Sequence, residues 1–135
     1  SSIGSKLEEL ALIREKLKPQ ERVGLCFDTC HAFAAGYDFT TPSTYKDFWS
    51  KFNDILGIEN LKAIHLNDSK RGRGSLVDRH EHIGQGFIGM QTFSLIMNDP
   101  ILEPIPKILE TPKDNGFEDD RRNLGILHNL ILKQQ

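Results

Sequence analysis

Apolar residues recur along this chain with two alternating periods. Leu7, Leu10, Ile13 and Leu17 fall on one face of a helical period, and Ser5-Lys6-Leu7-Glu8 reads as a capping box opening that helix. Pro19 ends it. From Arg22 to Asp28 the period drops to two, so that Val23, Leu25 and Phe27 point one way and Gly24, Cys26 and Asp28 the other. Thr41-Pro42 opens a second helix carrying Tyr45, Phe48, Phe52, Ile55 and Leu56, and Gly57 stops it. Leu61 to Leu66 reads as a second strand, Met90 to Met97 as a short helix, Ile105 to Glu110 as a third strand and Glu118 to Lys133 as a final helix. The intervening stretch from Asn67 to Ile88 reads as one long loop, and a loop beyond ~15 residues is usually functional or disordered.

The order α-β-α-β-α-β-α predicts parallel strands with helical crossovers, in either a (β/α) barrel or an open doubly wound sheet. Three strands cannot close a barrel, and an eight-stranded one typically needs ~250 residues. The 135 residues are therefore expected to form about three strand–helix units, the C-terminal part of a TIM-type α/β barrel domain whose N-terminal strands are absent. Starting at Ser1, inside an apparent loop, fits such a piece.

Composition narrows the class only a little. With 38% hydrophobic and 27% charged residues the chain reads as soluble and globular, and no apolar run approaches the 18 residues a membrane span needs. A net charge of −2 gives no global attraction for nucleic acid, so any such binding must be local. No signal peptide is visible. Cys26 and Cys30 stand in a C-x₃-C spacing unlike zinc ribbons or redox motifs, and are expected to be reduced, buried thiols in a cytosolic protein.

Six hard ligands give the chain its chemistry: Asp28, His31, His65, Asp78, His80 and Glu110. Asp28, His65 and Glu110 lie at or beside the C-terminal ends of the three strands, where α/β barrels place their chemistry. Mixed carboxylate and imidazole donors suit Zn²⁺ or Mn²⁺ in a reactive site, whereas closed structural zinc sites favour thiolates. Six are more than one open catalytic metal uses, which points to a cluster of two or more ions. Asp78 and His80, alternate residues of an extended segment, can reach one ion, with His31 as the third ligand across the cavity. Asp28, His65 and Glu110 would make a second site. Singly, an Asp after a strand is more often a helix cap and a lone His a core residue. Six at consistent strand-end positions are harder to explain that way. His82 and His128 are expected to be structural or solvent-facing.

Lys70-Arg71-Gly72-Arg73-Gly74, with Arg79 nearby, is a basic stretch beside these ligands. Its cations could hold phosphates, with glycines allowing close backbone approach, or it could be a solvated loop. Phe33, Tyr37 and Phe39 could contact a nucleic-acid groove or pack their loop down.

Taken together, several ordered motifs resemble the endonuclease IV family of apurinic/apyrimidinic endonucleases. They are Asp28-Thr29-Cys30-His31-Ala32-Phe33-Ala34-Ala35-Gly36-Tyr37-Asp38, His65-Leu66-Asn67-Asp68-Ser69-Lys70, Asp78-Arg79-His80-Glu81-His82-Ile83-Gly84, Gly86-Phe87-Ile88-Gly89 and Leu109-Glu110-Thr111. The resemblance runs from Ser2-Ile3-Gly4 to the last helix. It implies a trinuclear zinc enzyme on an eight-stranded barrel, cleaving double-stranded DNA 5′ to abasic sites in base excision repair. Asp28, His65 and Glu110 would hold one zinc; His31, Asp78 and His80 another. The third zinc of such enzymes is carried by two histidines and a bridging glutamate on earlier strands, with no counterpart here. Catalysis through metal at Asp28, His65 and Glu110, phosphate contacts from Lys70, Arg71, Arg73 and Arg79, and a cytoplasmic, bacterial-type protein follow as expectations. The piece alone is expected to be inactive, to hold up to two zinc ions, and to associate with itself or with the missing N-terminal half. Two other readings compete: a metal-dependent sugar isomerase or epimerase, and a non-catalytic metal-binding fragment.

Overall fold

The computed structural model describes residues 4–132. Helix α1 (Leu7–Lys16) opens without the expected capping box: its N-cap is Lys6, with no side-chain cap. The Leu7 amide is satisfied from elsewhere, donating to the Tyr37 hydroxyl at 2.9 Å, and Gly4 N–H, ahead of the helix, donates to Glu9 Oε2 at 2.9 Å. Leu7 is buried, whereas Ile13 and Leu17 at the far end of the expected apolar face stay exposed.

Strand β1 (Leu25–Asp28) is shorter than the expected Arg22–Asp28. Residues Gln20–Arg22 form a 3₁₀ turn in which Val23 N–H bonds to Gln20 O instead of to a neighbouring strand. A six-residue helix, α2 (Thr29–Ala34), follows at once, too short to reveal itself by period. Asp28 caps it, Oδ1 accepting from His31 N–H at 3.0 Å, which satisfies one orphan donor of the first turn. Helix α3 (Pro42–Leu56) matches its expected signals: Thr41 and Thr44 form a reciprocal capping box, proline sits in the first turn, and Gly57 ends the helix at φ 81°.

Strand β2 (Leu61–His65) comes next, and the expected loop from Asn67 to Ile88 proves to be partly ordered by pairing. Short strands β3 (Asp68–Ser69) and β4 (His80–Glu81) run antiparallel, with Asp68 opposite Glu81 and Ser69 opposite His80. Two-residue strands leave no periodic trace in the sequence. Helix α4 (Met90–Met97) falls where expected. Strand β5 (Lys107–Ile108) is shorter than the expected Ile105–Glu110, since Ile105 N–H turns back to Leu102 O. Helix α5 (Phe117–Leu130) closes the described chain, and Lys133 of the expected helix lies outside the described residues.

The main sheet is parallel in the order β1-β2-β5, with Asp28, His65 and Ile108 in register. Its two faces differ. Phe27 and Ile64 are buried beneath the helices, and the Phe27 ring stands 5.0 Å from Trp49 and 5.4 Å from Phe48 of α3. Phe33 and Phe39 join this cluster and Tyr37 packs on Phe48, so these three aromatics hold their loop down rather than projecting outward. The other face carries Cys26, Asp28, His65 and Ile108. Cys26, expected to be buried, is exposed there, because the two-residue period sets it on the same side as Asp28 and away from α3. Cys30 is buried as expected, and both cysteines are free. Among the described residues no helix is long and apolar enough to cross a membrane.

Candidate metal centre

All six expected ligands converge on the C-terminal edge of the sheet. Asp28 ends β1, His65 ends β2, and Glu110 follows β5, while His80 begins β4 and Asp78 stands just before it. Their heads form an alternating chain. His31 Nδ1 lies 3.5 Å from Asp78 Oδ2, and Asp78 Oδ1 lies 3.6 Å from His80 Nε2. His80 Nε2 is 3.8 Å from Asp28 Oδ2, which is 3.6 Å from His65 Nδ1. His65 Nδ1 in turn meets Glu110 Oε1. Asp28, His65 and Glu110 together have the spacing to share one cation. Asp78 and His80 form the core of a second group.

The tautomer of His80 is fixed by its surroundings. Nδ1 lies 2.8 Å from the carbonyl oxygen of Glu110, which can only accept, so Nδ1 carries the proton. Nε2 faces the carboxylates of Asp28 and Asp78, at 3.8 and 3.6 Å. Orientation of a ligating imidazole through its other nitrogen is the usual arrangement at metal sites.

By distance the second group is Cys30, Asp78 and His80, with Cys30 in the place expected for His31, which reaches Asp78 at 3.5 Å but stands outside the group. The Cys30 thiol lies 3.4 Å from Arg79 O. Burial pushes the Cys30 thiol up to about 12, the Ser69 hydroxyl pulling it slightly down and Asp78 adding to the rise, so it remains protonated. A metal would have to displace that proton, since the thiolate is the ligand.

Two positioning residues are not evident from sequence although both stand inside the family-like motifs. Asn67, fully buried, donates from Nδ2 to Asp28 Oδ2 at 3.3 Å and accepts Glu110 N–H on Oδ1 at 2.8 Å. It thus ties two ligands from β1 and β5 to the end of β2, and is itself held by Thr29, whose Oγ1 accepts Asn67 N–H at 2.9 Å. Asp68 is also fully buried. Its carboxylate accepts from the amides of Ser69, Gly84, Gly86, Ile88 and Gly89 at 2.8–3.4 Å, folding the 84–89 segment under the β3–β4 pair. The only sequence signal is a buried-strand flank ending in Asn-Asp, which does not separate these roles from a turn.

The basic residues lie on the rim. Lys70, Arg71, Arg73 and Arg79 are all exposed, and Arg73 Nη1 donates to Gly36 O at 3.2 Å. Among the described residues the Lys and Arg side chains engaged in ion pairs are Lys113, Arg121 and Arg122, so the four rim cations make no direct ion pair, although Arg73 is near enough to help hold the Asp38 carboxyl below its usual range. His82 sits apart from the six ligands, beside Asp114 and Asp119. The amide of Asn123 accepts Ile83 N–H on Oδ1 and therefore donates from Nδ2 to His82 Nδ1 at 3.1 Å, a structural role. His128 lies in the last turn of α5.

Comparison with known proteins places the chain. A family model described as xylose isomerase-like TIM barrel matches residues 1–130. A probable endonuclease 4 of Geotalea daltonii is 48% identical over 134 residues, 99% of this chain and 47% of that protein. An apurinic-apyrimidinic endonuclease of Caenorhabditis elegans is 54% identical over 130 residues, 96% of this chain and 32% of that protein. The crystal structure of endonuclease IV from Thermus thermophilus superposes with a TM-score of 0.82 at 36% identity, covering 96% of this chain and 45% of that one. The chain thus spans less than half the length of these relatives. With its parallel strands, its helical crossovers and its ligands at the strand ends, the chain belongs to the xylose isomerase-like TIM-barrel family, where it corresponds to the C-terminal part of the endonuclease IV proteins.

Proposed function

We propose that the whole protein carrying this chain is a metal-dependent endonuclease that hydrolyses the phosphodiester 5′ to abasic sites in double-stranded DNA, as a step of base excision repair. The observation that carries this reading is the convergence of six carboxylate and imidazole donors, among which His80 is pinned through Nδ1 to Glu110 O so that Nε2 faces Asp28 and Asp78. The residues fit divalent zinc, with manganese as a second candidate, because oxygen and imidazole nitrogen are its donors and one strand end after another contributes them. Asp28, His65 and Glu110 would hold one ion, and His31, Asp78 and His80 the other. A metal so held would supply an acidified water and neutralise charge on phosphoryl oxygens.

The chain's own residues supply the rest. Asn67 fixes Asp28 and Glu110 relative to each other, the Glu110 carbonyl fixes His80, and Asp68 sets the 84–89 segment beneath the site. Lys70, Arg71, Arg73 and Arg79 lie on the rim, free to meet phosphates on either side of the scissile bond. An isomerase of an unphosphorylated sugar would have no use for four cations there. The open sheet face, with Cys26 and Ile108 exposed, suits closure by further strands of one barrel domain, either from the other half of the protein or from another copy. A third metal site, if the protein has one, would draw its ligands from that other half. A cytoplasmic location accords with the reduced cysteines and with bacterial relatives.

The test is cleavage of a duplex carrying a single tetrahydrofuran abasic analogue by the full-length protein, before and after chelation. Cutting on the 5′ side that leaves a polymerase-extendable 3′-hydroxyl, lost on chelation and restored by zinc or manganese, is the expected result. An intact duplex after incubation with metal-replete protein would overturn the proposal.

A further inference from the structure

The two donor groups of the metal centre stand on different sheets. Glu110 follows β5, which pairs with β2, and His80 begins β4, which pairs with β3, so no backbone ladder joins the two segments. Among the described residues two side chains join them by hydrogen bonds. One is His80 itself, through Nδ1 to Glu110 O. The other is Asn123 of α5, fully buried on the face that also buries Leu127.

Asn123 turns all its side-chain hydrogen bonds toward those two segments. Oδ1 accepts Ile83 N–H at 3.0 Å. The amide NH₂ carries two protons, and both are used, one on His82 Nδ1 and one on Thr111 Oγ1, each at 3.1 Å. Thr111 follows Glu110 directly, while His82 and Ile83 stand just beyond His80 and Glu81. A single bond between His80 and Glu110 leaves the segments free to pivot about it; a second link a few residues away removes that freedom. Packing does not account for the asparagine, since a buried amide costs free energy unless it is paired, and Leu127 shows that the same face accepts an apolar side chain. Thr111 and Ile83 are buried with it, so the link is shielded from water, where a hydrogen bond is electrostatically strongest.

We propose that Asn123 is a positioning residue that fixes the spacing of Glu110 in one donor group against His80 in the other, acting through Thr111 and the 82–83 segment. The inference rests on the metal-centre reading of the site. Its test uses the full-length protein and three variants. Asn123→Ala removes the link. Thr111→Val removes only the acceptor beside Glu110 and keeps its volume, and Thr111→Ser keeps the hydroxyl. Zinc affinity is read by competition with a metal indicator. The His80 Nδ1 proton, whose exchange the bond to Glu110 O slows, is read by nitrogen-edited NMR of the metal-free protein. Asn123→Ala and Thr111→Val should each weaken zinc binding about 10–100-fold and lose the slowly exchanging proton. Thr111→Ser should keep both, and the double variant should lose no more than Asn123→Ala alone. If Asn123→Ala does not fold, Thr111→Val against Thr111→Ser decides alone. Thr111→Val with wild-type affinity and the His80 proton retained would overturn the proposal, leaving Asn123 to hold the 82–83 segment only. So would losses that add in the double variant, or equal drops of thermal midpoint in both Thr111 variants with affinity untouched, which would assign the pair to packing. Wild type that binds no zinc would overturn the metal-centre reading and this inference together.

Discussion

His80 Nδ1 donates to the backbone carbonyl of Glu110 across 2.8 Å, joining two residues 30 positions apart. The bond does two things at once. It pins the imidazole of β4 against the segment after β5, and it turns Nε2 toward Asp28 and Asp78. A ligand from the β3–β4 pair is thereby locked to one from the main sheet, so the two proposed metal positions share a frame.

His65 is the sharpest single test of that frame. It ends β2 between Asp28 and Glu110, within reach of both carboxylates. In the full-length protein His65→Ala should abolish measurable cleavage while circular dichroism stays native, because the site loses a neutral donor and the metal it helped hold. Near-normal turnover with full metal occupancy would show that His65 is not a ligand.

Asn67→Ala probes positioning instead of ligation. Removing the amide strips Asp28 Oδ2 of a donor and leaves Glu110 N–H without its acceptor, both partly buried. A stability loss of about 1–3 kcal/mol is expected from the unpaired groups. Metal affinity should fall about 10–100-fold, as for other residues that orient ligands. Competition titration with a metal indicator checks the second figure; unchanged affinity in a folded variant would leave Asn67 a purely structural role.

Asp68 governs the segment behind the site. Asp68→Asn turns an acceptor of five amides into a group whose own NH₂ faces them, and should cost at least about 3 kcal/mol in denaturant unfolding. Gly86→Ala should do comparable damage by a different route, since its Cβ would collide with Ser69 O and lie 2.6 Å from Asp68 Oδ1. Both variants should lose hydrogen-exchange protection at Ile88 and Gly89 before the rest of the fold. Protection equal to wild type at those amides would contradict the role given to Asp68.

How much of this was legible in the sequence divides by mechanism. Helices α3 and α4 were readable because their apolar faces repeat over several turns and Thr41, Pro42 and Gly57 punctuate α3. The meeting of the six candidate ligands was readable only in part: Asp28 and His65 end strands in register and Glu110 follows β5, whereas His31 comes from α2 and Asp78 and His80 arrive with the β3–β4 pair. Helix α2 and the β3–β4 pair were not readable, since two to six residues carry no period, and it is tertiary hydrogen bonding that creates them. The Ser5 capping box failed for a related reason: the Tyr37 hydroxyl, thirty residues beyond Leu7, supplies the partner that Ser5 would have been. Asn67 and Asp68 were visible as letters in a motif, but what they hold together is fixed only by the folded chain.

Metal stoichiometry tests the completeness of the donor set in this chain. Elemental analysis of the isolated 135 residues should give no more than two zinc ions per chain, since the six candidate ligands are proposed to serve two ions, and His82, of the third close cluster with Asp114 and Asp119, is already engaged by Asn123. Dialysis against a chelator should remove them and lower the thermal midpoint, because a ligand bound only to the folded state stabilises it by mass action. A stable three ions per monomeric chain would mean that the chain holds a further ligand set beyond these six residues.

The basic rim is tested by salt. If Lys70, Arg71 and Arg73 meet phosphates, replacing all three with alanine in the full-length protein should weaken duplex binding and flatten its salt dependence. The log–log slope should drop by roughly 0.9 for each phosphate no longer neutralised. Arg73 also braces Gly36 O at 3.2 Å, so Lys70→Ala with Arg71→Ala is the cleaner pair and should account for most of the change. Turnover at saturating substrate should alter far less than affinity, because these side chains do not touch the ligand heads. An unchanged slope with reduced metal content would show instead that the stretch positions Asp78 and His80. No change in slope, affinity or metal content would reduce it to a solvated loop.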